Sequence, residues 1–411
     1  MAASTDGRGG SLDELGPFFP ETRACEPLLE RAVALVAEGH RLQAASGQLA
    51  AALRPLLLCM NACHAAELDG TAVHPADLER EPSQDPALEP ELARAVRLAR
   101  AHVAAEMALS AALPTKRVGL YAPEFVQCIH AELHRARCSD VRDLEEEPPP
   151  GAWRLSPEGS TPAPALIEDE LELWQGIYSK PFGLEHAVVA ACCAQHRLLR
   201  VRPFAHGNGR TARLHTLLVL GALGLTHGLW SPFRGMARDR DRFLGRRGDP
   251  REPEQLADFA SGLLDVCLEQ AQWARELLDT ERLKCRLHDL LGWLGARPWT
   301  IGSEKSVIKP DALEALHYTA LTGPVERARF IAMLGLQHRT GRRVLSSLLD
   351  CGLLVSESSR APVRFNLPLP SLRFIFPGLW PDLGAPEPRG SATESEPEAG
   401  WSAGAPQAAT Q

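Results

Sequence analysis

Residues 202–213 read RPFAHGNGRTAR and run straight into an apolar stretch with helical spacing, LHTLLVLGALGL. Gly207-Asn208-Gly209 lets the backbone take positive φ immediately before a helix. Amide N–H groups at such a turn converge on an anion, and the helix N-terminus adds favourable potential. Arg210 and Arg213 are three apart and project from neighbouring positions of the first helical turn. Loop amides with two guanidiniums describe a clamp for a polyphosphate. The plainer reading is a glycine-rich helix start with solvated arginines, and the residues alone do not separate the two.

The segment resembles the signature of the Fic (Fido) family, in which His-Pro-Phe leads through one residue and an Asp or Glu into Gly-Asn-Gly-Arg and a second Arg. Pro203, Phe204, Gly207, Asn208, Gly209, Arg210 and Arg213 match it. The run AACCAQHRLLRV is similar to the family's preceding helix, PGAW-Arg154 to the start of its substrate-positioning flap, and GLWSPFRGMARDRDRF to its post-motif segment. The likeness runs over about residues 30–370. It implies AMP transfer from ATP to a Ser, Thr or Tyr hydroxyl of a target protein, with the family His as general base and its acid holding Mg²⁺. By position, the resemblance makes Gly207, Asn208, Gly209 and Arg210 phosphate ligands, Arg213 the ligand of the distal phosphate, and Phe204 a packing residue under the loop.

The two most reactive positions depart from that pattern. Arg202 stands where the family has its His, and a guanidinium stays protonated and cannot accept a hydroxyl proton. His206 stands where the family has its Mg²⁺ carboxylate, and imidazole is a poor ligand for so hard an ion, which puts Mg²⁺ in doubt. Losing a general base alone costs about 10²–10⁴ in rate. His206 lies on the other side of the Phe204 turn and is not expected to replace the base. The expectation is weak or no transferase activity, with ATP as the ligand. Two outcomes stay open: Arg202 adds a third positive charge to a metal-independent nucleotide site, or the loop is vestigial and serves only packing.

The resemblance also implies an inhibitory helix, in which a Ser or Thr and, four residues on, a Glu precede Gly or Asn, the Glu pairing with the second motif Arg. Ala65-Ala66-Glu67-Leu68-Asp69-Gly70 sits where such a helix ends. In that register Asp69 replaces the Glu and pairs with Arg213; the bland alternative is a solvated helix end. Glu67 would reach only with a register shift of two, about 200° around the helix.

Residues 311–320, 324–334 and 340–351 read as three short helices, and 353–355 with 363–365 as two strands around a polar turn. That order is a winged helix-turn-helix pattern. Residues 324–367 hold seven Arg against three acids, and Arg339, Arg342 and Arg343 cluster on the would-be recognition helix, a footprint for DNA contact. Winged helices also serve protein interaction. A DNA-binding transcriptional regulator, with the Fic-like part as sensor or vestige, is therefore the competing function.

These features must be positioned by a 411-residue chain, 45% hydrophobic, 23% charged and 6% aromatic, with net charge −8. Of its 44 basic residues five are Lys, so 39 are Arg, an excess that compositional bias explains for most positions. The acidic balance argues against wholesale nucleic-acid coating. No export signal is apparent, and the most apolar stretch, Leu214 to Trp230, is broken by His and Gly, so no membrane association is expected. Scattered cysteines fit buried thiols of a cytoplasmic protein, and no metal site is expected from them.

The fold class is mainly α, a Fic-type helical core with a short β-hairpin flap near Trp153–Ile167, plus a C-terminal winged helix. The expected division is a flexible arm 1–26, an N-terminal helical segment 27–112, a core 113–280, the winged helix 285–381 and a disordered tail 382–411. Helices are expected at about 27–45, 47–68, 89–112, 121–133, 168–178, 184–200, 208–223 and 253–278. The partners expected are an unidentified target protein and DNA through residues 324–367, with a homodimer left open.

Overall fold

The computed structural model describes residues 15–45, 47–79, 89–113, 119–135, 148–158, 161–243, 253–296 and 308–372. The chain to Pro381 forms one compact unit, and residues 382–411, expected as the tail, lie outside the described residues, as do residues 1–14. The described chain is mostly helical, with fourteen helices and one two-stranded sheet.

Its centre is the pair α6 (Leu184–Val201) and α7 (Asn208–Ala222), joined by the loop singled out above. Every residue from Ala187 to Leu199 is buried, because α6 is covered on several sides. α1 (Thr22–Ala45) and α10 (Pro253–Leu277) pack on each other and on α6, and α5 (Ile167–Tyr178) packs on it too. α7 carries α3 (Pro90–Ala112) and α4 (Pro123–His134), and α2 (Gln48–Leu68) lies against α3 and α8 (Phe233–Arg238). α2 is long and apolar enough to cross a membrane by length and composition, and 67% of that apolar window is buried within the fold.

A buried charge in so apolar a helix needs a partner. Arg197 of α6 finds Glu170 of α5 at 2.5 Å, donates to the Gly16 carbonyl at 2.6 Å and lies over the Phe18 ring. The Tyr178 hydroxyl donates to the Phe18 carbonyl at 2.6 Å. Residues 15–18, expected within a flexible arm, are thereby pinned to the core. α1 also starts earlier than expected, at Thr22, so Pro27 lies inside the helix rather than in its first turn. Contact with α10 and α6 holds that stretch helical despite the lost N–H.

α9 (Arg240–Phe243) follows α8, and α11 (Thr280–Ala296) is a helix the sequence reading did not anticipate. Its buried Leu283, Leu287, Leu290 and Leu294 have readable helical spacing. Beyond it come α12 (Ala312–Thr322), α13 (Arg327–Met333), α14 (His338–Asp350) and the antiparallel strands β1 (Leu354–Val355) and β2 (Arg364–Phe365). Leu354 pairs with Phe365 and Val355 with Arg364, and a bridge from Val325 to Val363 extends the ribbon. α12 and β2 pack against α2.

The flap corrects an expectation. Its described residues between Trp153 and Ile167 contain no strand, only a bridge at Pro162, and close on a 3-10 turn at Pro164–Leu166. Pro157, Pro162 and Pro164 remove ladder donors, and Arg154 occupies carbonyls that a paired strand would need. The described cysteines are all free thiols, with Cys63, Cys192, Cys193, Cys267 and Cys351 buried.

Candidate functional site

The loop between α6 and α7 is built by hydrogen bonds that its own sequence supplies. α6 ends on Arg202, whose backbone is left-handed at φ 47° and ψ 63°. A non-glycine residue there costs about 1–2 kcal/mol, which surrounding contacts must offset. Arg154 provides them. Its N–H donates to the Pro203 carbonyl and its Nε to the Arg202 carbonyl, each at 2.9 Å. The rest of its buried guanidinium donates to the carbonyls of Ser156 and Pro162.

Phe204 is buried, as the resemblance implied, and stacks on His130 at 3.8 Å with the rings 8° apart. The Asn208 side chain spans the turn, accepting from the Phe204 N–H at 2.9 Å and donating to its carbonyl at 2.7 Å. Its amide therefore shapes the loop. Gly207 takes φ 71°, and a Cβ there would stand 2.2 Å from Nε2 of His134. Glycine is required on both counts, and α7 starts at the next residue.

Arg210 and Arg213 point from α7 toward the end of α2, where Asp69 caps that helix. Arg210 places Nε and an Nη at 2.7 and 2.6 Å from one oxygen of Asp69, and Arg213 places an Nη at 2.5 Å from the other. The sequence register foresaw only Arg213. The two guanidinium side chains are 5% and 2% exposed, whereas that of Asp69 is 36% exposed. Burial raises the Asp69 carboxyl, but the charges of Arg213 and Arg210 and their hydrogen bonds outweigh it and hold the group below its ordinary value. Burial lowers the Arg213 guanidinium against the pull of Asp69. Glu67 is turned away and meets Nδ1 of His64 at 3.2 Å.

A cavity of about 340 Å³ opens beside this cluster. Gly207, Asn208, Gly209, Arg210 and Arg213 line it together, with Arg202, His206 and Asp69. Arg202 is held on the flap side by Glu158, at 2.5 Å from Oε1 and 3.1 Å from Oε2. Arg94, Arg240 and His134 also line the cavity, and sequence reasoning missed all three. Arg240 lies in the post-motif segment quoted above, but nothing there distinguishes it from its neighbouring arginines. Among the described lining, five guanidiniums face one carboxylate, so the cavity favours an anion with several charges. The donor set does not fit Mg²⁺, because the loop offers an imidazole and Asp69 is taken by two arginines.

The distant candidates stand apart from this cavity. Arg339, Arg342 and Arg343 are exposed on α14. Other arginines of that basic segment are engaged within it: Arg327 donates to the carbonyls of Ala361 and Ser358, Arg329 to the Tyr318 hydroxyl, and Arg364 pairs with Glu357.

Among solved structures, a Fic family protein from Desulfovibrio desulfuricans G20 is similar at a TM-score of 0.44 and 16% identity, over 82% of this chain and 96% of that one. No curated protein matches the chain. The model of the Fic/DOC family matches residues 121–220, a span that runs from α4 into α7 and holds the whole arginine-bearing loop. Residues 121–220 of the chain are thus a Fic/DOC-family segment.

Proposed function

We propose that this chain binds a nucleotide polyphosphate such as ATP in the α6–α7 cavity, with little or no transfer of AMP to a protein hydroxyl. The observation that carries this reading is the Asp69 carboxylate bridging Arg210 and Arg213. Two nearly buried guanidiniums demand an anion, and Asp69 supplies one where the family resemblance places phosphate. Asp69 and the nucleotide then compete, which makes Asp69 an inhibitory residue. The cavity itself selects for charge: Arg94, Arg202 and Arg240 add to the pair, and the loop amides complete a phosphate cradle. Catalysis is the weak side. Arg202 cannot take a proton from an attacking hydroxyl, and it is ion-paired to Glu158.

Asp69→Ala should bind ATP about tenfold or more tightly than wild type by calorimetry, because the competing carboxylate is gone. In the absence of nucleotide it should lose about 1–2 kcal/mol of stability, a modest loss because Asp69 is partly exposed. Equal affinity in both proteins would overturn the competition. Incubation with ATP labelled on the α-phosphate should leave wild type unlabelled and label Arg202→His/His206→Asp. Robust covalent labelling of wild type or its targets would sink the inactive reading.

A second reading rests on a separate observation, the solvent-facing row Arg339, Arg342 and Arg343 on α14, none in a described ion pair. We infer a winged helix that contacts duplex DNA, with the cavity as its nucleotide sensor. Full-length protein should then bind duplex DNA with steep salt dependence, and Arg342→Ala/Arg343→Ala should lower the log–log salt slope by about 2. Indifference to DNA at low salt would remove this reading.

A further inference from the structure

Three histidines converge behind the α6–α7 loop. His130 and His134 lie one turn apart on α4, on the face that packs against α7, and His206 precedes the left-handed Gly207. One ring nitrogen from each lies within 4.8 Å of the others. The ring centroids of His130 and His134 are 4.4 Å apart, and those of His134 and His206 4.9 Å. His130 and His134 are buried, while His206 is half-buried.

The hydrogen bonds divide their roles. Nδ1 of His130 accepts the Gly151 N–H at 2.9 Å, so Nε2 carries the proton and donates to the His206 carbonyl at 3.2 Å. His130 thus has no lone pair to give, and it fixes the backbone of His206 while stacking on Phe204. His134 and His206 both line the 340 Å³ cavity, and Nε2 of His134 lies directly over Gly207.

Imidazole nitrogen suits borderline divalent ions of the zinc, cobalt and nickel class, the opposite preference from Mg²⁺. Two nitrogens around a tetrahedral ion at about 2.1 Å stand roughly 3.4 Å apart, so a side-chain rotation of little more than an ångström closes the pair. Two protein donors leave positions free, and those positions open into a cavity built for phosphate.

We propose that His134 and His206 form a site for a divalent transition-metal ion, with His130 as positioning residue and a nucleotide phosphate oxygen completing the coordination. The change of Mg²⁺ carboxylate to His206 is then a change of metal class rather than a loss. The metal site stands by itself; only its completion by phosphate rests on the nucleotide reading above.

Full-length protein stripped by chelator would be titrated with Co²⁺ and followed by visible absorption. One equivalent should bind with the weak bands of imidazole ligation and without the intense near-ultraviolet charge transfer of thiolate, which excludes the exposed Cys285. His134→Ala and His206→Ala should each weaken binding by about tenfold or more, and the exposed His288→Ala should leave it unchanged. His206→Asp, at a half-buried position, should weaken Co²⁺ and strengthen Mg²⁺, which covers the case of His134→Ala failing to fold. Thiolate bands, or affinities equal across wild type and the His134 and His206 variants, would overturn the site. ADP added to the cobalt form should shift the spectrum. An unshifted spectrum overturns the phosphate completion, whereas absence of cobalt binding overturns the metal site whatever the nucleotide does.

Discussion

At the scale of single residues, the loop tolerates little change because each side chain serves two demands. Gly207 must take positive φ and also leave room for the His134 ring. Gly207→Ala is therefore expected to cost about 2–4 kcal/mol, read by urea denaturation, and to abolish nucleotide binding even in protein that still folds. The sequence reading gives Asn208 a phosphate-facing backbone N–H, and its side-chain amide is spent on the Phe204 backbone. Arg202 shows the same economy. Its guanidinium pairs with Glu158 and its carbonyl accepts from Arg154, so one residue links flap, helix end and cavity.

At the scale of elements, the flap depends on a side chain rather than a ladder. Arg154 ties the segment after Gly151 to the Arg202-Pro203 turn with a backbone bond and several side-chain bonds. Arg154→Ala should release residues 152–158 from the loop, seen as faster amide exchange there while α6 and α7 keep their protection. Arg154→Lys should behave nearly the same, because an ammonium cannot reproduce the planar fork that reaches carbonyls on both sides. Unchanged exchange in both variants would show that the prolines alone hold the flap.

At the scale of the whole molecule, buried neutral histidines make the core acid-sensitive. His215 of α7 is fully buried among Tyr121, Phe125 and Trp174 and contacts the Leu120 carbonyl at 2.7 Å. Burial pushes it down to about 4, and burial with Arg200 and Arg197 pushes His196 down to about 3. Between pH 6.5 and 4 the unfolded chain takes up a proton at the His215 position that the folded chain refuses. Stability is therefore lost as pH falls through that window, by about 3 kcal/mol for His215 alone. His215→Phe should lose about 1 kcal/mol at pH 7.5 with its hydrogen bond, yet show a flatter decline below pH 6.5 in denaturant titrations. An unchanged slope would mean that His215 takes up its proton in the folded state as readily as in the unfolded one.

Local information was enough for much of this protein. The apolar spacing of 184–200 and 208–223 marked α6 and α7 within a residue or two, because helical periodicity is a property of consecutive residues. Gly207, Arg210 and Arg213 were legible for the same reason, lying within one turn and one helix start. The α11 helix was missed although its leucines carry the signal, and the flap, expected as a short hairpin or loop, forms no strand among its described residues. What the sequence could not hold is juxtaposition across distance. Asp69 is separated from Arg210 by 141 positions, and His130 from His206 by 76. Arg94 and Arg240 are two among 39 arginines until packing turns them toward one cavity. Charges and imidazoles interact over a few ångströms and carry no periodicity of their own, so only the tertiary structure decided which of them meet.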